Sequence, residues 1–155
     1  MFRLLYIYSL LLLAGCNKKN TPGQTPDPLP GPGGSSRVVN VSTAAALNAA
    51  LIDARPGDEI VMADGVYKGK FVIAPNVNGT ATKPVLLRGS RNVILDAQTT
   101  TTGYVLHLQA SYWKIKGFTL TNGLKGLMVD GARYCIIDSL KVYAIGEEAI
   151  HLRKY

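Results

Sequence analysis

The residues best placed to do chemistry lie in the short stretch from Gly146 to Lys154, GEEAIHLRK. If Ile150 and Leu152 alternate into a core, His151 and Arg153 project outward from one strand, two residues apart. Glu147 and Glu148 then sit in the turn before that strand. Acid, imidazole and guanidinium grouped this closely can bind a cation or a sugar carboxylate. The same residues also suit a solvated turn followed by an ordinary exposed strand face. His107 lies in the triplet 106–108 (LHL), which recurs as 127–129 (LMV) and 150–152 (IHL). If these triplets stack as neighbouring strands, His107 and His151 are about 10 Å apart, too far to share one zinc ion. Lys114, Lys116, Lys125 and Lys141 are candidates for an outward basic stripe, or simply for charge that keeps strand faces soluble. Tyr104, Tyr112 and Tyr134 can stack on sugar rings, although Tyr112 and Tyr134 also fit as strand starts held in register. There is no phosphate loop, His-Glu-x-x-His motif, dinucleotide fingerprint or nucleophile elbow. No catalytic residue or metal ligand is assigned.

These side chains need a scaffold, and the scaffold is written as β segments. After a short strand at 38–41, residues 43–54 carry apolar positions at Ala46, Leu47, Ala50, Leu51 and Ala54, the pattern of one amphipathic helix with Ser42 as its N-cap. Pro56, Gly57 and Asp58 stop it. From there to Arg153 the chain reads as short β segments with turns between them, at 59–62, 66–67, 71–73, 85–88, 92–96, 104–108, 113–116, 118–121, 127–129, 135–137, 140–143 and 150–153. A repeat shows near the end. Residues 110–120 (ASYWKIKGFTL) align with 132–142 (ARYCIIDSLKV) at a shift of 22, and the LHL-type triplets recur at shifts of 21 and 23. A period near 22 with three strands is what one coil of a parallel β-helix requires. Each coil buries its apolar interior only by stacking on its neighbours. A β-sandwich also has many short strands but does not predict a fixed shift.

The N-terminus points to a compartment. Leu4 to Leu13 is apolar apart from Tyr6, Tyr8 and Ser9, and ten residues span about 15 Å as a helix, roughly half a bilayer core. That suits a signal-peptide core and not a transmembrane helix. Leu13, Ala14, Gly15 and Cys16 follow. They resemble the lipobox of bacterial lipoproteins, in which small residues fit the signal peptidase and the cysteine thiol takes a diacylglyceryl group. The resemblance implies a signal peptide at 1–15 and a membrane anchor at Cys16. Asn17 after the cysteine favours the outer membrane or cell surface. Residues 16–36 form a tether rich in proline and glycine, with a reach of roughly 60 Å. Residues 37–155 make the folded domain. With Cys16 lipidated, Cys135 is the other cysteine of the sequence, which leaves no intramolecular disulfide and no cysteine-based metal site. The formal net charge of the whole chain is +7. A basic surface suits an acidic partner, an acidic polysaccharide above all, or only aids solubility. An export signal argues against nucleic acid.

The opening of the domain resembles a known family. The stretches 47–51 (LNAAL), 55–67 (RPGDEIVMADGVY), 71–73 (FVI) and 79–89 (GTATKPVLLRG) are similar to the N-terminal cap and first coil of right-handed parallel β-helix proteins of the pectate-lyase-like superfamily. Chondroitinase-B-like and alginate-lyase-like enzymes belong to that group. The resemblance implies an all-β, right-handed parallel β-helix with its helix laid across one open end. It implies β-elimination on a uronic-acid polymer, with calcium or another cation neutralising the sugar carboxylate and a Lys or Arg taking the neighbouring proton. Those groups lie on middle coils in such enzymes, so none is carried over here. The family includes members without assigned activity, and a non-catalytic glycan-binding or cell-surface β-helix is the alternative. Because the pattern stops in mid-coil, the expectation is a fragment that lacks the catalytic coils.

Overall fold

A computed structural model describes residues 36–154. The expectations for residues 1–15, for Cys16 and for most of the tether fall outside these residues.

Three sheets, all of parallel strands, account for the fold. Sheet A runs β1 (Val38–Val41), β2 (Glu59–Met62), β5 (Val85–Arg88), β8 (Trp113–Lys116) and β11 (Ile136–Asp138). Sheet B runs β3 (Gly65–Lys68), β6 (Val93–Asp96), β9 (Thr119–Gly123) and β12 (Lys141–Ile145). Sheet C runs β4 (Phe71–Ile73), β7 (Tyr104–Leu108), β10 (Lys125–Asp130) and β13 (Ile150–Arg153). From β2 onward each strand pairs with the strand three further along, so three strands make one coil. This is a parallel β-helix, as the repeat predicts. The segments expected from 59 to 153 all form, with ends shifted by a residue or two.

Stacking follows the predicted alignment. Ile60, Leu87, Ile115 and Ile137 stand in one column. Tyr67, Leu95, Leu120 and Val142 form a second. In sheet C, Phe71, Leu106, Leu127 and Ile150 form another, beside Ile73, Leu108, Val129 and Leu152. Burying each such side chain contributes about 1.5–3 kcal/mol. The polar tips of the two largest buried aromatic side chains are satisfied. Trp113 Nε1 donates to Val77 O at 2.8 Å, and the Tyr67 hydroxyl lies 2.9 Å from Val41 O and 2.8 Å from Ala63 O. Coil length is less regular than the terminal repeat suggests. Lys114 pairs with Ile136, 22 residues on, but Phe71 pairs with Leu106, 35 residues on. The surplus lies in the loops at 74–84 and 97–103.

The helix α1 (Ala44–Ile52) buries Leu47, Ala50 and Leu51 and packs against β1 and β4 at one end of the interior. Its N-cap is Thr43, whose Oγ1 accepts from Ala46 N at 3.1 Å, and not Ser42 as expected. The helix starts one residue later, so the hydroxyl in reach of a first-turn N–H belongs to Thr43. It ends at Ile52, yet Ala54 is still buried.

The corners need left-handed backbone, repeated every 22 residues. Tyr112 and Tyr134 (φ 60° and 57°) turn the chain from sheet C to A, Gly117 and Ser139 (93° and 54°) from A to B, and Asn122 and Ala144 (55° and 51°) from B to C. Gly117 cannot be replaced cheaply, because an added Cβ would lie 2.3 Å from Gly89 O.

Candidate functional site

The outer face of sheet C, with the turn before β13, gathers His107, Glu147, Glu148, His151 and Arg153. His107, Met128 and His151 align across β7, β10 and β13, as the triplets predict. Asp130 and Arg153 pair in the next outward row. Asp130 is buried, and its carboxylate accepts two bonds from Arg153, Nε to Oδ1 at 2.9 Å and Nη2 to Oδ2 at 2.6 Å. His107 Nε2 lies 3.4 Å from the same Oδ2, and the Tyr104 ring packs on the His107 ring at 4.8 Å. Three successive coils therefore contribute one residue each to a cluster of imidazole, carboxylate and guanidinium.

At the other end of these strands, Lys125 Nζ lies 2.5 Å from Glu147 Oε2 and also bonds Glu148. Glu148 in turn faces His151 Nδ1 at 3.4 Å. Hydrogen bonds that Lys125 donates to Glu147 and Glu148 raise the Lys125 pKa, and the Lys125 bond, then His151, lowers that of Glu148. Glu147 and Glu148 are thus directed at Lys125 rather than left as open ligands. Calcium takes six to eight oxygens. Among the described residues, no group of three or more His, Cys, Asp or Glu side chains is placed to hold a metal. These described residues do not fit a calcium site.

The four lysines do not form a stripe. Lys114 and Lys116 are on sheet A, Lys141 is on sheet B, and Lys125 begins a strand of sheet C. Lys116 bridges to Asp138 at 3.1 Å, and Lys141 lies over the Tyr143 ring. In a three-sided coil only a separation near one full turn returns to the same face, and 116, 125 and 141 are not so spaced. Tyr112 and Tyr134, one coil apart, stack with ring centroids at 4.9 Å.

Asp130 and Lys125 are the residues that sequence reasoning missed as site members. Asp130 was within reach, since extending the alignment of 127–129 with 150–152 by one residue sets it against Arg153. Lys125 was not, because its contacts with Glu147 and Glu148 depend on how the turn before β13 folds back.

Fold and face together define a parallel β-helix with a charged outer sheet face. No protein-family model matches the chain, and no curated protein matches it. Among solved structures, the chain is similar to an alginate lyase from Paenibacillus sp. str. FPU-7, with a TM-score of 0.71 and 37% identity. The match covers 76% of this chain and 43% of that one, so the chain spans less than half the length of the lyase.

Proposed function

We propose that this chain is part of an exported, lipid-anchored protein that acts on an acidic polysaccharide, as a lyase cleaving a uronic-acid polymer by β-elimination. The observation that carries the reading is 37% identity with an alginate lyase over 76% of the chain. Alginate is therefore the first substrate to test. In β-elimination a base removes the proton next to the sugar carboxylate, a carbon–carbon double bond forms, and the glycosidic oxygen leaves with a proton. On the outer face of sheet C, Arg153 and Lys125 supply positive charge toward a carboxylate, and His107 and His151 present imidazole nitrogens on the same face. A non-catalytic glycan-binding protein is the second reading, favoured by one observation: Lys125 and Arg153 are each already ion-paired within the protein.

The test uses the natural reading frame in full, with alginate, pectate and chondroitin. The product's double bond, conjugated to the carboxylate, gives ultraviolet absorbance that rises with time if the protein is a lyase. Binding without that rise selects the second reading, and neither on any uronate polymer refutes both. The anchor is tested separately. Labelled fatty acid should enter the wild-type protein in a bacterial host and be absent from Cys16→Ser; equal labelling would exclude Cys16 as the attachment point.

A further inference from the structure

We infer that Lys70, with Thr102 as its positioning residue, is the cation beside sheet C that takes the carboxylate of a bound uronate. The inference rests on the polyuronate reading above and names the group that recognises the acid. Lys125 is bonded to Glu147 and Glu148, and Arg153 to buried Asp130. A sugar carboxylate must displace an internal one to reach either. Lys70 is exposed, and its Nζ donates to a neutral acceptor, Thr102 Oγ1, at 3.1 Å. It makes no ion pair among the described residues. It stands just before β4, at the opposite edge of sheet C from β13, and α1 packs against β4.

The loop at 97–103 holds the ammonium in place. Gly103 has φ 73°, and a Cβ added there would lie 2.8 Å from Lys70 Nζ, so the ammonium fills the space that a side chain would take. The loop is fixed to the next coil, since Lys125 N donates to Gly103 O at 3.1 Å and Thr99 N to Asn122 O at 3.0 Å. A free lysine loses much rotamer entropy when it binds a ligand, and one already held by a hydroxyl loses less. Tyr104 follows the loop directly and packs its ring on His107 at 4.8 Å. His107 pairs with Val72, two residues after Lys70. Strand geometry puts the backbones of Lys70 and His107 roughly 8 Å apart. A uronate laid there can rest the C–H face of its ring on the aromatic pair and give its carboxylate to Lys70. A neutral sugar gains the stacking alone. Lys68 is the contrast: it is also exposed and makes no ion pair among the described residues, but it belongs to β3 of sheet B.

The experiment is native electrophoresis of the protein, from the natural reading frame in full, through gels containing alginate or, as the neutral comparison, carboxyl-reduced alginate. Lys70→Met should weaken binding to alginate roughly tenfold at an unchanged melting temperature, and should bind the carboxyl-reduced polymer as wild type does. Lys68→Met removes the same charge from the neighbouring sheet and should match wild type on both. Thr102→Val should weaken alginate binding roughly threefold, and Thr102→Ser, which keeps the hydroxyl, should restore it. Wild-type affinity in Lys70→Met, or an equal loss in Lys68→Met, would overturn the role of Lys70 and leave the polyuronate reading standing. Wild-type affinity in Thr102→Val would overturn the positioning role. A wild-type protein retarded by no uronate polymer would overturn the inference and the reading together.

Discussion

Ala144 sits at φ 51°, one coil above Asn122 at 55°. Asparagine tolerates this region because its short amide bonds locally, whereas an ordinary L-residue there costs roughly 1–2 kcal/mol. Ala144→Asn should therefore stabilise the protein by roughly 0.5–1 kcal/mol, raising the urea midpoint at unchanged slope. A lower midpoint would mean that the corner needs the small side chain. Thr121 shows the opposite imbalance, a buried hydroxyl without a hydrogen-bond partner among the described residues. Arg153 and Asp130 are fully engaged by contrast. The buried carboxylate fixes the guanidinium in a two-bond geometry that a lysine could not reproduce.

At the scale of elements, both ends of the described stack are fastened by ion pairs. At the first, Arg37 beside β1 donates to Asp53 after α1 and to buried Asp58 before β2. At the last, β13 is tied through Glu147 and Glu148 to Lys125, and β11 through Asp138 to Lys116. Glu148 and Asp138 are held below their ordinary values of 4.5 and 3.8, Glu148 chiefly by Lys125 and Asp138 chiefly by Ser139 and then Lys116. A carboxylate whose pKa is lower folded than unfolded stabilises the fold above the unfolded value, and that contribution is lost as pH falls through the folded one. Amide-exchange protection at 149–152 should therefore be full above pH 4.5 and decline progressively as pH falls below that value, before the interior of the stack responds. In Lys125→Met the same amides should be less protected already at neutral pH. Uniform loss of protection across all coils would show that these pairs do not set the order of opening.

Across the whole molecule, stability is the sum of coils stacked on one another, each covering the interior of the next. Leu87 stands in the middle of its column and is fully buried. Leu87→Ala should cost about 2–5 kcal/mol, because neighbours above and below cannot both collapse into the space. Trp113 reports on the same region, since its ring is fully buried and its Nε1–H is bonded to Val77 O. Its fluorescence should be blue-shifted and inaccessible to iodide in the native protein. In Leu87→Ala the unfolding transition seen by fluorescence and by far-ultraviolet circular dichroism should move together. Separate transitions would mean that the coils open independently. The cap end is covered by Leu47 and Leu51, while Ile150 and Leu152 at the other end of the described stack are 44% and 72% exposed.

The sequence by itself determined the architecture. Alternation inside each short segment sets which side chains face inward, and stacked coils demand similar residues at equal spacing. Ile115 over Ile137, Leu120 over Val142 and the sheet C triplets were all legible before any coordinates, and each pairs as expected. The outward alignment of His107, Met128 and His151 came with them. Only the tertiary structure decided which outward groups meet. The loops at 74–84 and 97–103 change coil length without changing the strands, and the lysines, not spaced by one full turn, scatter over three sheets. The exchange of an N-cap from Ser42 to Thr43 and the closure of Lys125 on Glu147 and Glu148 depend on side-chain reach and turn geometry. Those are properties of three-dimensional placement, and a periodic pattern carries no record of them.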